Sequence, residues 1–216
     1  VPARSDFLVV SAVVETQVDG TNTQKVTGLV DGEEMTFTVE HAQIENISGM
    51  YGDDSTTIQV GDVLFLTRDI KSDVRNISIV FRSKNAYNDN STYNAYEYAG
   101  VEKLKGTNPA GQNFCYGLVR AQNGKTIQVV SDDTVELGDD ARSGYYALSS
   151  DTNAYIYNPN ANTKVNLADV GDISVDRTAD DTPESDEGDF VFFWEKDGLI
   201  SDLLIVSGKR SFTESE

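Results

Sequence analysis

Val170-Gly171-Asp172-Ile173 leads, after an acidic stretch, into Phe190-Val191-Phe192-Phe193-Trp194-Glu195, a Lys196-Asp197-Gly198 turn and Leu199-Ile200-Ser201-Asp202-Leu203-Leu204-Ile205-Val206. Apolar, β-branched and aromatic runs on either side of an Asp-Gly pair are the grammar of a β-hairpin. The same order occurs earlier, in Val60-Gly61-Asp62-Val63-Leu64-Phe65-Leu66, a polar turn, and Val74-Arg75-Asn76-Ile77-Ser78-Ile79-Val80-Phe81. The openings of the two halves, near Phe7 and Phe114, lie about as far apart as the two Val-Gly-Asp triplets. The chain therefore reads as two related β modules in tandem.

Outward from these hairpins, the first half is a meander. Val10, Ala12, Val14, Thr16 and Val18 alternate with Ser11, Val13, Glu15 and Gln17, which is the period of a half-buried strand. Asp19-Gly20 and Asp31-Gly32 punctuate two further strands, at 25–30 and 35–39. From His41 to Tyr51 the alternation stops, and Ala42, Ile44 and Ile47 are spaced for a helical turn. In the second half an Asn123-Gly124 turn separates strands at 114–121 and 125–130, and short strands follow at 145–149 and 154–157. The expected class is all-β, with two small antiparallel β-barrel or sandwich modules joined by a Tyr/Asn/Gly-rich segment. Closure of each module would remove exposed sheet edges. The expected boundaries are 1–82 for the first module, 83–113 for a linker or docking segment, 114–208 for the second module and 209–216 for a polar tail.

Charge bounds the partners. The 216 residues include 36 acidic and 17 basic side chains, for a net charge of −19. That field repels phosphate backbones and anionic lipid, so the sequence excludes nucleic acid and leaves cations and basic partners. No apolar run reaches spanning length, and no membrane insertion is expected. The single cysteine, Cys115, sits between Phe114 and Tyr116 and reads as a small buried hydrophobe. The opening at Val1, without a signal-like segment, reads as a mature or excised piece of something longer.

Candidates for chemistry are few. His41 is the only histidine and lies beside Glu40, a surface context that supplies neither a catalytic triad nor a transition-metal site. Most acids stand in turns such as Asp19, Asp31 and Asp132-Asp133, where they bond local backbone rather than flank a sugar. No enzymatic activity and no required cofactor are expected. The acidic stretch ending at Asp189 offers Asp176, Asp180, Asp181, Asp186 and Asp189 as oxygen ligands, and calcium is the cation such a loop would take. Its spacing matches no EF-hand, and a solvated acidic loop is the plainer reading. Tyr87, Tyr93, Tyr96 and Tyr98 are candidates for contact with a glycan or a partner, or for covering an apolar edge.

Two sets of residues carry a resemblance. They are Tyr116-Gly117-Leu118-Val119 with Asn123-Gly124-Lys125-Thr126-Ile127, and Val170-Gly171-Asp172-Ile173 with the hairpin through Ile205. The stretch from Lys25 to Phe37 is similar to them. These modules resemble the small β-barrel repeats that accompany S-layer homology domains in surface proteins of Gram-positive bacteria, over about half of the chain. The chain has no S-layer homology segment of its own, so wall anchoring is not carried over. What the resemblance implies is a non-enzymatic spacer in an extracellular, cell-surface assembly, in contact with other copies of itself or with other surface proteins. A virion surface or decoration protein and a carbohydrate-binding module are the alternatives.

Overall fold

The computed structural model describes residues 6–47, 55–68, 71, 74–86, 112–130, 143–173 and 189–207. It is all-β with two sheets, as expected. In the first, β1 (Phe7–Val18) pairs with β2 (Thr21–Val30), and β2 with β3 (Glu33–Glu40). On its other side β1 pairs with β5 (Asp62–Arg68), and β5 with β6 (Val74–Arg82). The short β4 (Ile44–Asn46) lies parallel to β6 at the edge. The second sheet repeats this order, with β7 (Asn113–Asn123), β8 (Thr126–Val130) and β9 (Ser143–Ala147) in the places of β1, β2 and β3. There β12 (Phe190–Lys196) and β13 (Leu199–Val206) replace β5 and β6. Outside β13 lies β10 (Asn153–Tyr157), parallel to it as β4 is to β6, and β11 (Val165–Leu167) adds one more edge strand. Matching order and matching strand directions give the sequence repeat its structural counterpart.

The two triplets share one pair of turn hydrogen bonds, although only the second copy is a 3₁₀ turn, at Val170–Asp172. Gln59 N–H donates to Asp62 Oδ2 at 2.8 Å, and Asp62 N–H returns a bond to the Gln59 carbonyl at 3.1 Å. In the second copy Asp169 N–H donates to Asp172 Oδ2 at 2.8 Å, with the return bond at 2.9 Å. Their surroundings differ. Gly61 has a φ of +89°, and a Cβ there would meet the Tyr157 ring at 2.6 Å, whereas a Cβ on Gly171 meets nothing within 4 Å. Gly61→Ala is expected to cost about 2–4 kcal/mol, from left-handed strain plus overpacking, and Gly171→Ala less than about 0.5 kcal/mol. Denaturant melts of the two variants check the contrast, and equal losses would refute it.

Three of the four tight hairpin turns follow the sequence closely. Asp19-Gly20, Asp31-Gly32 and Asp197-Gly198 each have positive φ at both central residues, the type I′ pattern that matches strand twist. The fourth departs by one residue. Asn123 stays in its strand opposite Thr126, so Gly124 takes the first central position at φ +60° and Lys125 the second.

Apolar patterning explains the layering. Leu8, Val10, Leu64, Leu66, Ile77 and Ile79 point into one cluster inside the first half. Cys115, Val119, Val191, Phe193, Leu203 and Ile205 fill another inside the second half. The opposite faces of the same strands supply a third cluster between the sheets, made of Phe7, Val9, Val63, Phe81, Phe114, Tyr155, Phe190, Phe192, Trp194, Leu204 and others. Strands covered on both faces need continuous apolar sequence, and Phe7-Leu8-Val9-Val10 and Phe190 to Trp194 are of that kind. Beyond Val10 only one face of β1 is covered. A bulge between Val10 and Ala12 also shifts the phase by one residue there. Val13 therefore packs on the first-half cluster, while Val14 and Val18, expected to share the face of Val10, are 57% and 51% exposed.

Other departures are local. A 3₁₀ turn at His41–Gln43 replaces the longer helical turn, and Ile44 enters the core from β4. The sheets are antiparallel apart from β4–β6, β10–β13 and a single β13–β9 pair at Leu199 and Ala147. Of the segment 83–113 only the two ends are described, including a helical turn at Ser83–Ala86.

Candidate functional site

A cleft of about 590 Å³ opens beside the Asp197-Gly198 turn of the last hairpin. Leu199 and Ile200 give it an apolar wall, and Gln112, Ser149 and Ser201 bring neutral polar groups. Asp151, Asp197 and Lys196 supply charge around it. Side-chain bonds hold this arrangement from behind. Gln112 Nε2 donates to Ser201 Oγ at 2.6 Å, and Ser201 Oγ donates to Asp202 Oδ2 at 2.9 Å. Asn153 Nδ2 donates to the other oxygen of buried Asp202 at 3.2 Å. Thr152 Oγ1 receives Ser149 N–H at 2.9 Å and donates to the Ile200 carbonyl at 2.8 Å, tying the loop to β13.

The turn itself is pinned by Glu195, which is buried. Its Oε2 accepts Gly198 N–H at 3.1 Å, and its Oε1 accepts Asn113 Nδ2 at 2.9 Å. Cys115 Sγ lies 3.9 Å from the same Oε1, in hydrogen-bonding reach, so the buried thiol expected from sequence has a carboxylate neighbour. Burial, then the Cys115 sulfur, then the Glu195 charge push the Tyr146 hydroxyl well above the usual tyrosine range. Burial does the same to Tyr155, with Asp202 and Asp31 adding to it, although the Gly32 N–H that Tyr155 accepts at 3.2 Å acts in the opposite sense.

A phenol raised in the folded state binds its proton more tightly there than in the unfolded chain. Its stabilisation is whole below the unfolded pKa of about 10 and is lost as pH rises beyond it. At least two of the ten tyrosines are therefore expected to stay silent at pH 11 in a 295 nm titration and to ionise only with alkaline unfolding. Full ionisation of all ten in native protein at that pH would contradict these environments.

The residues picked from sequence are placed only in part. Asp176, Asp180, Asp181 and Asp186, and Tyr87, Tyr93, Tyr96 and Tyr98, lie outside the described residues. Asp189 is buried at the entry to β12, where its backbone carbonyl accepts Val119 N–H at 3.0 Å. Among the described residues no group of three metal-ligating side chains occurs, and no helix is long and apolar enough to cross a membrane. His41 Nε2 meets Glu15 Oε2 at 3.0 Å on the surface of the first half, away from the cleft residues. Sequence reasoning missed the cleft altogether. Its only local signal was the Asp197-Gly198 turn, which was read as a turn and nothing more.

No family model matches this chain. No curated protein matches it either. Among solved structures it is similar to one described as the crystal structure of the Ifi202 HINa domain in complex with 20-bp double-stranded DNA. That likeness covers 96% of this chain and 94% of the other at 10% identity, and its TM-score of 0.20 carries no argument about fold or ligand. One expectation is corrected: the exclusion of nucleic acid drawn from net charge is withdrawn. A net charge is a sum over the whole surface and does not describe any one face of it.

Proposed function

We propose that this chain is a non-enzymatic, force-transmitting spacer in an extracellular cell-surface assembly of the S-layer kind. One observation carries the reading. The first and last described strands both lie inside their sheets, β1 between β2 and β5 and β13 between β12 and β10. Both also contribute to the cluster between the sheets, through Phe7 and Val9 and through Leu204 and Val206. Tension applied along either strand must shear ladders on both of its sides while that cluster holds the sheets together. Tight type I′ turns leave little slack between strands. Calcium at the acidic stretch 176–189 belongs to the same proposal as a cation that would screen neighbouring copies.

Immunogold electron microscopy of the native source tests the proposal. Label on an ordered outer surface is the expected result, weakened after chelation. Label confined to the cell interior would overturn it, and label on phage particles would replace it with the decoration reading. The cleft favours a second reading, carbohydrate binding, because carboxylates, an amide and hydroxyls beside an apolar wall suit a sugar. A glycan array with no hits would remove that alternative.

A further inference from the structure

We propose that the cleft beside the last hairpin takes a lysine or arginine side chain presented by a neighbouring protein. Two carboxylates on its wall carry the inference. Asp197 stands in the turn of the hairpin and Asp151 in the loop after β9, and both line the cleft with Lys196. Among the described residues neither carboxylate accepts a hydrogen bond or joins an ion pair, and Lys196 pairs with neither of them. Asp151 is held through its backbone instead, whose N–H donates to Ser149 Oγ at 3.1 Å. The two buried acids behind the cleft are, by contrast, engaged. Asp202 accepts from Ser201 and Asn153, and Glu195 accepts from Gly198 N–H and Asn113.

Hydrogen-bonding capacity selects a cation as the occupant. A sugar hydroxyl both donates and accepts, whereas an ammonium or a guanidinium only donates. Ser201 spends its single O–H on Asp202, and Gln112 spends an N–H on Ser201. The wall is therefore weighted towards the carboxylate oxygens of Asp151 and Asp197. Charge has the same sense, because Asp151, Asp197, Glu195 and Asp202 line or back the cleft against Lys196. Lys125, whose backbone carbonyl accepts Leu148 N–H at 2.7 Å, does not line it. The apolar wall then decides which cation. Leu199 is 50% exposed beside buried Ile200, a surface for the methylene stem of lysine or arginine and of no use to a bare metal ion. The volume of about 590 Å³ falls among sites of roughly 300–1,000 Å³ that take a whole small ligand, so the flanking peptide groups enter too. Both carboxylates are exposed, which makes the contact weak by itself and suited to repeated use in an assembly.

The proposal deepens the assembly reading and rests on it for its role, while binding itself is measured in solution. Heteronuclear NMR of the whole chain, titrated with Nα-acetyl-lysine methylamide or its arginine counterpart, is expected to show saturable shifts at the amides of Asp151, Gly198, Leu199 and Ser201. The norleucine counterpart keeps the stem without the charge, and n-butylamine keeps stem and charge without the peptide groups. Both should bind several-fold more weakly. Asp151→Asn and Asp197→Asn should each weaken the lysine probe by about twofold to fivefold, as loss of an exposed ion pair does. Lys196→Gln should tighten it. Asparagine accepts the positive φ of position 197, so the turn survives the substitution. No shift at these amides would overturn the proposal, as would norleucine or butylamine binding as tightly as lysine, or indifference to both Asp→Asn variants. Any of these, alongside an ordered surface lattice in the microscope, would remove the basic partner and leave the assembly reading standing.

Discussion

Trp194→Ala is expected to lower stability by about 3–5 kcal/mol, the cost of removing a large buried aromatic and leaving its space open. Trp194 is 1% exposed and sits where the two sheets meet. Its ring stacks on Phe114 at 4.9 Å between centroids, meets Phe7 edge-on at 4.9 Å and lies 5.7 Å from Phe65. Phe7 and Phe65 belong to the first sheet and Phe114 to the second, so the loss falls on both halves together. For a chain of this size such a loss lowers the melting temperature by about 6–20 °C. The expected trace remains a single transition, moved downward. A melt that separates into two steps, or moves by less than about 3 °C, would show that the junction does not couple the halves.

Asp62→Ala is expected to cost a similar amount, about 3–5 kcal/mol, by a different route. Asp62 is fully buried, 3.8 Å from the equally buried Arg82 guanidinium. Arg82 Nη2 also donates to the carbonyls of Ser55 at 2.7 Å and Thr57 at 3.0 Å, so this pair holds the chain leading into Gly61. Alanine removes the countercharge from an interior cation and takes the acceptor away from Gln59 N–H. Asp172→Ala deletes the same turn bond at an exposed position and should cost about 1 kcal/mol or less. Exchanging both partners, as in Asp62→Ala/Arg82→Met, should recover much of the loss, because a buried pair replaced by apolar groups is often neutral. Equal effects in the two copies, measured by urea titration, would contradict this account.

What could be read from the residues was local. Asp-Gly pairs announced three turns because few other dipeptides accept positive φ twice, and paired apolar runs announced the hairpins around them. Phe7-Leu8-Val9-Val10 and Phe190-Val191-Phe192-Phe193-Trp194 announced strands without a wet face, but not what lay on each side. The bulge before Ala12 has no signature in side-chain type, and it reversed the assignment of Val14 and Val18. β4 is too short for periodicity to reveal, and although a strand was expected at 154–157, its parallel pairing with β13, like that of β4 with β6, joins segments distant in sequence. The cleft stayed hidden for a related reason. It gathers Gln112, Ser149, Asp151 and Lys196 from separate segments, none with a motif of its own.

The cluster between the sheets has a reciprocity that strand order alone does not require. From the first half β1 reaches β12 through Phe7 with Phe192 and Trp194, and from the second half β7 reaches β5 through Phe114 with Phe65. Since β7 corresponds to β1 and β12 to β5, the same pair of surfaces meets twice with its roles exchanged. That is the logic of an isologous interface between identical subunits. The junction thus has the form of a homodimer whose two protomers share one polypeptide. Either half made alone would leave this aromatic face bare, and its expected state is a pair of like halves rather than a monomer.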